Sequence, residues 1–195
     1  MKIEKIKPQQ VEILADLCRQ IYQESYPYLW DDAGKWYMET RYNIPKLLAE
    51  IENPNAIYSF VYQDNNLAGH LKLNLDSDAI VANTSTYGDS STLIYDQKTT
   101  SEIESKAGLE VERIYFLNKH TGKGLGQKTL DWVFDLAQKK GKDYVWLHCM
   151  DSSPAQAFYK KYGFEICGET ALPFELMKPQ YRRMWKMWKK VEHNA

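Results

Sequence analysis

Three glycines alternate with other residues where a predicted strand gives way to a predicted helix: Gly122, Gly124 and Gly126. Residues 109–117 before them are rich in β-branched and aromatic side chains, which is typical of a strand. Residues 127–140 after them carry apolar side chains at helical spacing. Glycine lets the backbone approach a ligand closely, and the unpaired N–H groups at a helix start attract anions. The pattern therefore predicts a phosphate-binding turn, with a merely flexible turn as the alternative.

The spacing of these glycines excludes two common phosphate motifs. A P-loop requires a longer gap between its glycines and then Gly-Lys-Ser/Thr, which this stretch lacks. A dinucleotide-binding fingerprint reads Gly-x-Gly-x-x-Gly, whereas this turn reads Gly-x-Gly-x-Gly. A phosphate ligand held here must therefore use a different motif.

Two stretches of the chain resemble the GNAT family of N-acetyltransferases. Residues 113–126 are similar to its acetyl-CoA motif, whose core is Gln/Arg-x-x-Gly-x-Gly/Ala, and residues 152–164 match its Ala-x-x-Phe-Tyr-x-x-x-Gly-Phe signature. The runs 109–115 and 157–164 look most like the PaiA-type polyamine acetyltransferases. Two positions depart from the family: Thr121 replaces the usual Gln or Arg, and Ser152 replaces the frequent Asn.

The resemblance implies a fold and a cofactor. The expected fold is α/β (α+β), a mixed central sheet of about six to seven strands flanked by about four helices, with a splayed central strand pair. It implies acetyl-CoA as cofactor, with the N–H groups of residues 122–127 on the pyrophosphate and main-chain groups of residues 115–117 on the pantetheine and thioester oxygen. The cofactor-binding residues implied are Tyr115, Phe116, Leu117, Thr121, Gly122, Lys123, Gly124, Leu125, Gly126, Gln127, Ser152 and Tyr159.

Acetyl transfer to an amine needs a base for the ammonium and an acid for the leaving thiolate. The resemblance assigns Tyr159 as the acid, and an aromatic packed against the sheet is the alternative. Glu112 is the candidate base, because it lies in an otherwise apolar strand where burial is expected to raise its pKa. A salt bridge is the alternative, although pairing with Arg113 is expected to be poor because successive strand residues point to opposite faces. His120 and His148 are further candidate bases.

The acceptor is predicted from the loop between the first two helices, which lines the acceptor pocket in the GNAT family. Its candidate substrate-binding residues are Tyr26, Tyr28, Trp30 and Asp31. Acidic residues in and near this loop would suit a small cationic amine such as a polyamine: Glu24, Asp31, Asp32 and Glu39. A packed loop with solvated charges is the alternative, and protein amines or small metabolite amines remain open as acceptors.

Composition excludes several classes of protein. The 195-residue chain carries 25 basic and 26 acidic residues, so no global charge recruits nucleic acid or a membrane. Its three cysteines show no spacing typical of metal ligands, and no apolar run approaches the roughly 20 residues of a membrane span. We expect a cytoplasmic monomer or homodimer with no metal. A non-catalytic acyl-CoA sensor, and nucleic-acid binding through the basic strand 182–190, are the alternative functions.

The remaining pattern predicts one domain over residues 1–195 with an insertion at 76–108. Within the insertion, residues 79–83 and 91–95 could form a short hairpin, and the insertion could also cover the active site or be disordered. Gly69 is expected to mark a bulge or a close backbone approach. The predicted strands are 2–7, 56–62, 66–75, 143–149, 164–170 and 182–190, and the predicted helices are 11–22, 35–51 with a break at Pro45, and 154–162 closed by Gly163.

Overall fold

The computed structural model describes residues 1–76, 92–93 and 107–193, and the chain divides into two units. The first unit comprises Met1–Asn74, Glu112–Leu130 and Leu176–Lys178. The second unit comprises Leu75–Val111, Asp131–Glu175 and Pro179–Ala195. The organisation as one domain stays a prediction.

The first unit is built from an antiparallel sheet and three helices. Its elements are β1 (Lys2–Lys5), α1 (Val11–Ser25), α2 (Lys35–Arg41), α3 (Ile44–Glu52), β2 (Ala56–Gln63) and β3 (Asn66–Asn74). β2 pairs antiparallel with both β1 and β3. The predicted helix at 11–22 is confirmed and continues to Ser25, with Leu14, Leu17 and Ile21 buried on its apolar face.

The predicted break at Pro45 divides one helix into two. α3 begins after Asn43, whose side-chain oxygen accepts a hydrogen bond from the Lys46 N–H at 2.9 Å. Proline fits the first turn, where its missing N–H has no helical acceptor to lose. The described residues therefore contain five α-helices instead of the expected four or so.

The β2–β3 hairpin turns through Asp64 and Asn65, which both adopt left-handed φ angles, of 49° and 63°. β3 carries one extra residue, because Val61 lies opposite Gly69 while Tyr62 lies opposite Leu67. A Cβ on Gly69 would lie 2.1 Å from the carbonyl oxygen of Tyr115. The predicted close backbone approach at Gly69 is confirmed.

Two elements contribute residues to both units. β5 (Gly108–Phe116) gives its residues up to Val111 to the second unit and the rest to the first. α4 (Leu125–Lys139) gives its residues up to Leu130 to the first unit and the rest to the second. The remaining elements of the second unit are β4 (Thr92–Leu93), β6 (Tyr144–Met150), α5 (Ala155–Tyr162), β7 (Glu165–Ala171) and β8 (Arg183–Lys190).

The sheet of the second unit is mixed. β6 runs parallel to β5 from Gly108 opposite Tyr144 to Val111 opposite Leu147, and this ladder ends there. β8 pairs antiparallel with both β6 and β7. The predicted buried strand at 143–149 and the mixed α/β fold are confirmed.

Two glycines end helices in the second unit. Gly141 adopts a φ of 64° after α4, and the next N–H, from Lys142, bonds to the Ala137 carbonyl at 2.9 Å. Gly163 adopts a φ of 98° after α5, as predicted. Most of the predicted insertion lies outside the described residues, including 79–83; within it, Thr92 and Leu93 pair antiparallel with β7.

Candidate functional site

A short turn follows β5 in the first unit. Leu117 is buried, and its N–H donates to the Ala68 carbonyl at 2.9 Å. The 3₁₀ turn Asn118–His120 comes next, and the Thr121 hydroxyl donates to the Asn118 carbonyl at 2.8 Å. Thr121 therefore stabilises the turn through a hydrogen bond from its side chain to the Asn118 backbone.

The glycines of this turn adopt conformations that other residues reach only with strain. Gly122 and Gly124 have φ angles of 71° and 74°, and a Cβ on either would meet no atom within 4 Å. The first helical hydrogen bond of α4 runs from the Lys128 N–H to the Gly124 carbonyl at 3.1 Å. In the described part of the chain, the N–H groups of residues 122–127 donate to no protein acceptor. This arrangement, open and rich in donors, is suited to an anion.

Glu112 lies in a buried network of charges in the first unit. Its carboxylate is 2.6 Å from the Lys72 ammonium and 3.2 Å from an Arg113 guanidinium nitrogen, and it accepts a hydrogen bond from Asn74 at 2.9 Å. Burial alone would raise the pKa of Glu112, but the charges of Arg113 and Lys72 and two hydrogen bonds outweigh it, so the pKa lies below its ordinary value. The predicted rise in pKa is therefore wrong.

The expectation that Glu112 and Arg113 pair poorly is also wrong. Strand alternation fixes only how a side chain leaves the backbone, and the long arginine stem lets its guanidinium reach the neighbouring carboxylate. Arg113 is buried and forms two hydrogen bonds with Glu50, at 2.6 and 3.1 Å, and one with the Tyr58 hydroxyl at 3.2 Å. Sequence reasoning missed Glu50 and Lys72, because they come from α3 and β3 and carry no local motif.

A histidine that sequence analysis did not select lies beside this network. His70 is fully buried between the rings of Tyr58 and Tyr115, with centroid distances of 5.7 and 5.6 Å. Its Nε2 lies 3.4 Å from the Cys18 sulfur. Burial, assisted by the charge of Arg113, lowers the pKa of His70 to about 3, and burial raises the pKa of Cys18 to about 12. His70 is therefore a neutral imidazole, and Cys18 is a thiol.

The predicted acceptor residues have different environments within the first unit. Tyr28 is 48% exposed and Asp31 is exposed, whereas Tyr26 is half-buried with its ring 5.7 Å from that of Tyr115. Trp30 is 2% exposed, and its indole N–H donates to the Tyr22 hydroxyl at 2.6 Å. The packed-loop alternative therefore describes Trp30, because its ring fills the core of the first unit.

The segment Leu176–Lys178 stabilises this loop, which sequence reasoning did not find. The Asp31 N–H donates to the Leu176 carbonyl at 2.9 Å, and the Lys178 ammonium donates to the Tyr28 carbonyl at 3.0 Å. The segment lies far along the chain, so no local pattern indicates the contact. It holds Tyr28 and Asp31 in a defined surface position.

The second unit contains the signature tyrosine. Tyr159 lies on α5, is 9% exposed, and packs against Phe158 and Phe164 with centroid distances of 5.3 and 5.7 Å. At the start of this helix the Ala155 N–H donates to the Ser153 hydroxyl at 3.2 Å, while Ser152 is exposed. The side-chain hydrogen bond at the start of α5 therefore comes from Ser153 and not from Ser152.

The two candidate histidines lie in different units. His120, in the first unit, is 2.9 Å from the Gln63 side-chain oxygen through Nδ1. His148 lies on β6 in the second unit, where burial and then the charge of Lys186 lower its pKa to about 3. His148 is therefore neutral across the physiological range and a weak proton acceptor.

A mixed sheet with a glycine turn of this form defines an α/β protein suited to a phosphate-containing ligand. Residues 15–164 match the model of the acetyltransferase (GNAT) family, and the chain belongs to that family. An uncharacterized N-acetyltransferase in the pepI 3′ region of Lactobacillus delbrueckii subsp. lactis is 28% identical over 138 residues. The match spans 68% of this chain and 65% of that relative.

Solved structures show the same fold at low sequence identity. One is a PaiA N-acetyltransferase from Thermoplasma acidophilum in complex with coenzyme A, with a TM-score of 0.63, 20% identity, and coverage of 97% of this chain and 98% of the other. Another is the spermidine N-acetyltransferase SpeG from Vibrio cholerae, solved as a mutant, with a TM-score of 0.62, 16% identity, and coverage of 97% and 93%. Within the described ranges, no helix has both the length and the apolar character that crossing a bilayer requires.

Proposed function

We propose that this protein transfers the acetyl group of acetyl-CoA directly to a primary amine. The observation that carries the proposal is the turn at residues 122–127, whose N–H groups have no acceptor in the described part of the chain and lead into α4. Membership of the GNAT family supports acetyl-CoA as the ligand. The pyrophosphate would be held by these backbone donors, so the substitution of Thr121 for the family's Gln or Arg leaves the main interaction in place.

Acetyl-CoA supplies a thioester whose carbonyl oxygen gains negative charge during transfer. Main-chain groups of Tyr115, Phe116 and Leu117 would orient the pantetheine and stabilise that oxygen. Ser152 would contribute a polar group at the start of α5. Tyr159 would donate its phenolic proton to the departing sulfur as the new amide bond forms.

Proton removal from the amine is assigned to Glu112. Glu112 would be ionised at neutral pH, because the charges of Arg113 and Lys72 lower its pKa. Its carboxylate oxygens already contact Lys72, Arg113 and Asn74, so it would take the proton of the ammonium through a water molecule. Glu112→Gln tests this role. If Glu112 is the base, its loss should lower kcat while the variant remains folded.

The acceptor we favour is a small cationic amine such as a polyamine. Tyr28 and Asp31 are exposed on one loop of the first unit, where an aromatic face and a carboxylate both attract an ammonium group. A spermidine N-acetyltransferase among the solved structures of this fold adds support. Protein amines and other metabolite amines are the competing acceptors. The three cysteines are free thiols, which favours a cytosolic location.

The test measures thiol release from acetyl-CoA against spermidine, other small amines and a peptide with a free N-terminus. Tyr159→Phe should lower kcat by roughly 10²-fold or more, the usual contribution of a general acid. Tyr162→Phe is the matched control, because it also removes a hydroxyl from α5, one that donates to Asp131 at 2.7 Å. Equal activity of Tyr159→Phe and wild type would contradict the acid role.

A second candidate is a non-catalytic acyl-CoA sensor. It is favoured by the Thr121 hydroxyl, which donates to Asn118 and so offers its proton to no ligand. Acetyl-CoA binding by calorimetry without turnover of any amine would support the sensor. Failure to bind acetyl-CoA would contradict both candidates.

A further inference from the structure

The last turn of α1 is hydrogen-bonded to the 3₁₀ turn that precedes the glycines, and both lie in the first unit. The Glu24 carboxylate accepts a hydrogen bond from the Asn118 backbone N–H at 2.9 Å. The Asn118 side-chain amide donates to the Glu24 carbonyl at 3.3 Å and accepts from the Ser25 hydroxyl at 3.1 Å. Three hydrogen bonds therefore join the end of α1 to Asn118, which is distant in sequence.

Asn118 in turn fixes the start of the glycine turn at residues 122–127. Its carbonyl accepts two hydrogen bonds from Thr121, at 3.1 Å from the backbone N–H and at 2.8 Å from the hydroxyl. The Lys123 ammonium donates to the Lys119 carbonyl at 2.8 Å, which ties the glycine turn back to the same 3₁₀ turn. The position of Asn118 is therefore transmitted to Gly122 through adjoining hydrogen bonds.

The β2–β3 hairpin also holds this segment. The Leu117 N–H donates to the Ala68 carbonyl, and His120 Nδ1 lies 2.9 Å from the Gln63 side-chain oxygen. Loss of the contact with α1 should therefore loosen the glycine turn without unfolding it.

The position of Glu24 on its helix indicates why the contact forms. Glu24 is the last residue but one of α1, where a carboxylate faces the negative end of the helix dipole. The last carbonyls of a helix also lack helical donors. Asn118 supplies one N–H donor to the Glu24 carboxylate and another to the Glu24 carbonyl. The contact therefore satisfies the helix end and the turn together.

Sequence analysis grouped Glu24 with the acidic residues that would attract a cationic amine. Both of its carboxylate oxygens accept hydrogen bonds, Oε2 from Asn118 and Oε1 from the Gln20 amide at 3.0 Å. A negative charge near a pyrophosphate would also repel it, so the charge of Glu24 offers the cofactor nothing. What the glycine turn uses is the oxygen acceptor.

We propose that Glu24 is a positioning residue for the cofactor, because it holds Asn118 and so orients the N–H groups of residues 122–127 toward the pyrophosphate. This inference rests on the proposed function, since it takes the glycine turn as the place where acetyl-CoA binds. It removes Glu24 from the residues expected to recognise the amine.

The first test measures coenzyme A binding by calorimetry. Glu24→Ala should bind about three- to tenfold more weakly than wild type, the effect of one net hydrogen bond. Glu24→Gln keeps an oxygen acceptor and loses the charge, so it should bind at least as tightly as wild type. Glu12→Ala is the matched control, because Glu12 is exposed in the first turn of the same helix, about 18 Å away along its axis.

The second test needs no cofactor. In proton–nitrogen NMR spectra, Glu24→Ala should speed hydrogen exchange at the Asn118 backbone N–H, which loses its acceptor, while Glu24→Gln should not. Asn118→Ala keeps this N–H but loses the two side-chain hydrogen bonds to α1. It should therefore also weaken coenzyme A binding.

Three outcomes would overturn the inference alone, each with a wild type that binds coenzyme A. They are unchanged binding by Glu24→Ala, binding by Glu24→Gln that is as weak as that of Glu24→Ala, and unchanged exchange at Asn118 in Glu24→Ala. A Glu24→Gln variant that binds coenzyme A normally but has a raised KM for spermidine would return Glu24 to amine recognition. A wild type that binds no coenzyme A would contradict the proposed function, and the inference with it.

Discussion

The buried network around Arg113 gives the sharpest stability prediction. In Arg113→Met, Glu50 loses two hydrogen bonds, at 2.6 and 3.1 Å, and keeps only ammonium groups at 3.5 and 3.8 Å. Glu50 is 8% exposed, so water cannot replace the guanidinium. Removing one partner of a buried ion pair costs about 3–5 kcal/mol. Arg113→Met should therefore lower the free energy of unfolding by about that amount.

The expected loss in free energy of unfolding depends on the burial of Arg113, so an exposed arginine provides the matched control. Arg19 on α1 pairs with Asp16 at 2.5 Å, but the two side chains are 42% and 77% exposed. A surface pair contributes only about 0–1 kcal/mol, and Arg19→Met should cost no more than that. Both variants keep a long apolar stem and belong to the first unit.

The assay is urea unfolding followed by tryptophan fluorescence, with wild type and both variants measured at pH 7. The double variant Arg113→Met/Glu50→Gln should recover most of the loss, because it also removes the buried carboxylate that has lost its two guanidinium hydrogen bonds. An Arg113→Met variant that is as stable as Arg19→Met would refute the reasoning. So would a double variant that is as unstable as the single one.

Three further predictions follow from the same unit. The folded pKa of Glu112 lies below its ordinary value of 4.5, so its contribution to stability is present above that pH and is lost as the pH falls through the folded pKa. Glu112→Gln should therefore flatten the acid side of a plot of unfolding free energy against pH. An unchanged slope would contradict the depressed pKa. Gly69→Ala should cost at least about 1–3 kcal/mol in urea unfolding, because its Cβ would lie 2.1 Å from the Tyr115 carbonyl oxygen; wild-type stability would show that no close approach exists. In Gly124→Ala the added Cβ meets no atom within 4 Å, but the residue must keep a φ of 74°, at a cost of about 1–2 kcal/mol. The variant should bind acetyl-CoA more weakly in calorimetry. Unchanged binding would count against the proposed phosphate-binding turn.

Local patterns determined the elements that frame the candidate site. The apolar spacing of α4, the alternation of β2 and β3, and the break at Pro45 all lie within a few residues of the features they predict. The glycine turn is equally local, because left-handed φ angles select glycine by sterics alone. The sequence alone therefore sufficed for these elements and for the position of the glycine turn, and its resemblance to a known family implied the fold class.

Tertiary structure decided the state of the charged and aromatic side chains. The sequence showed Glu112 in an apolar strand, but its pKa depends on Lys72 and Arg113, and the burial of Arg113 depends in turn on Glu50 from α3. Trp30 looked like a pocket residue until its ring proved to fill the core. Burial and charge pairing are long-range properties, so only the folded chain fixes them.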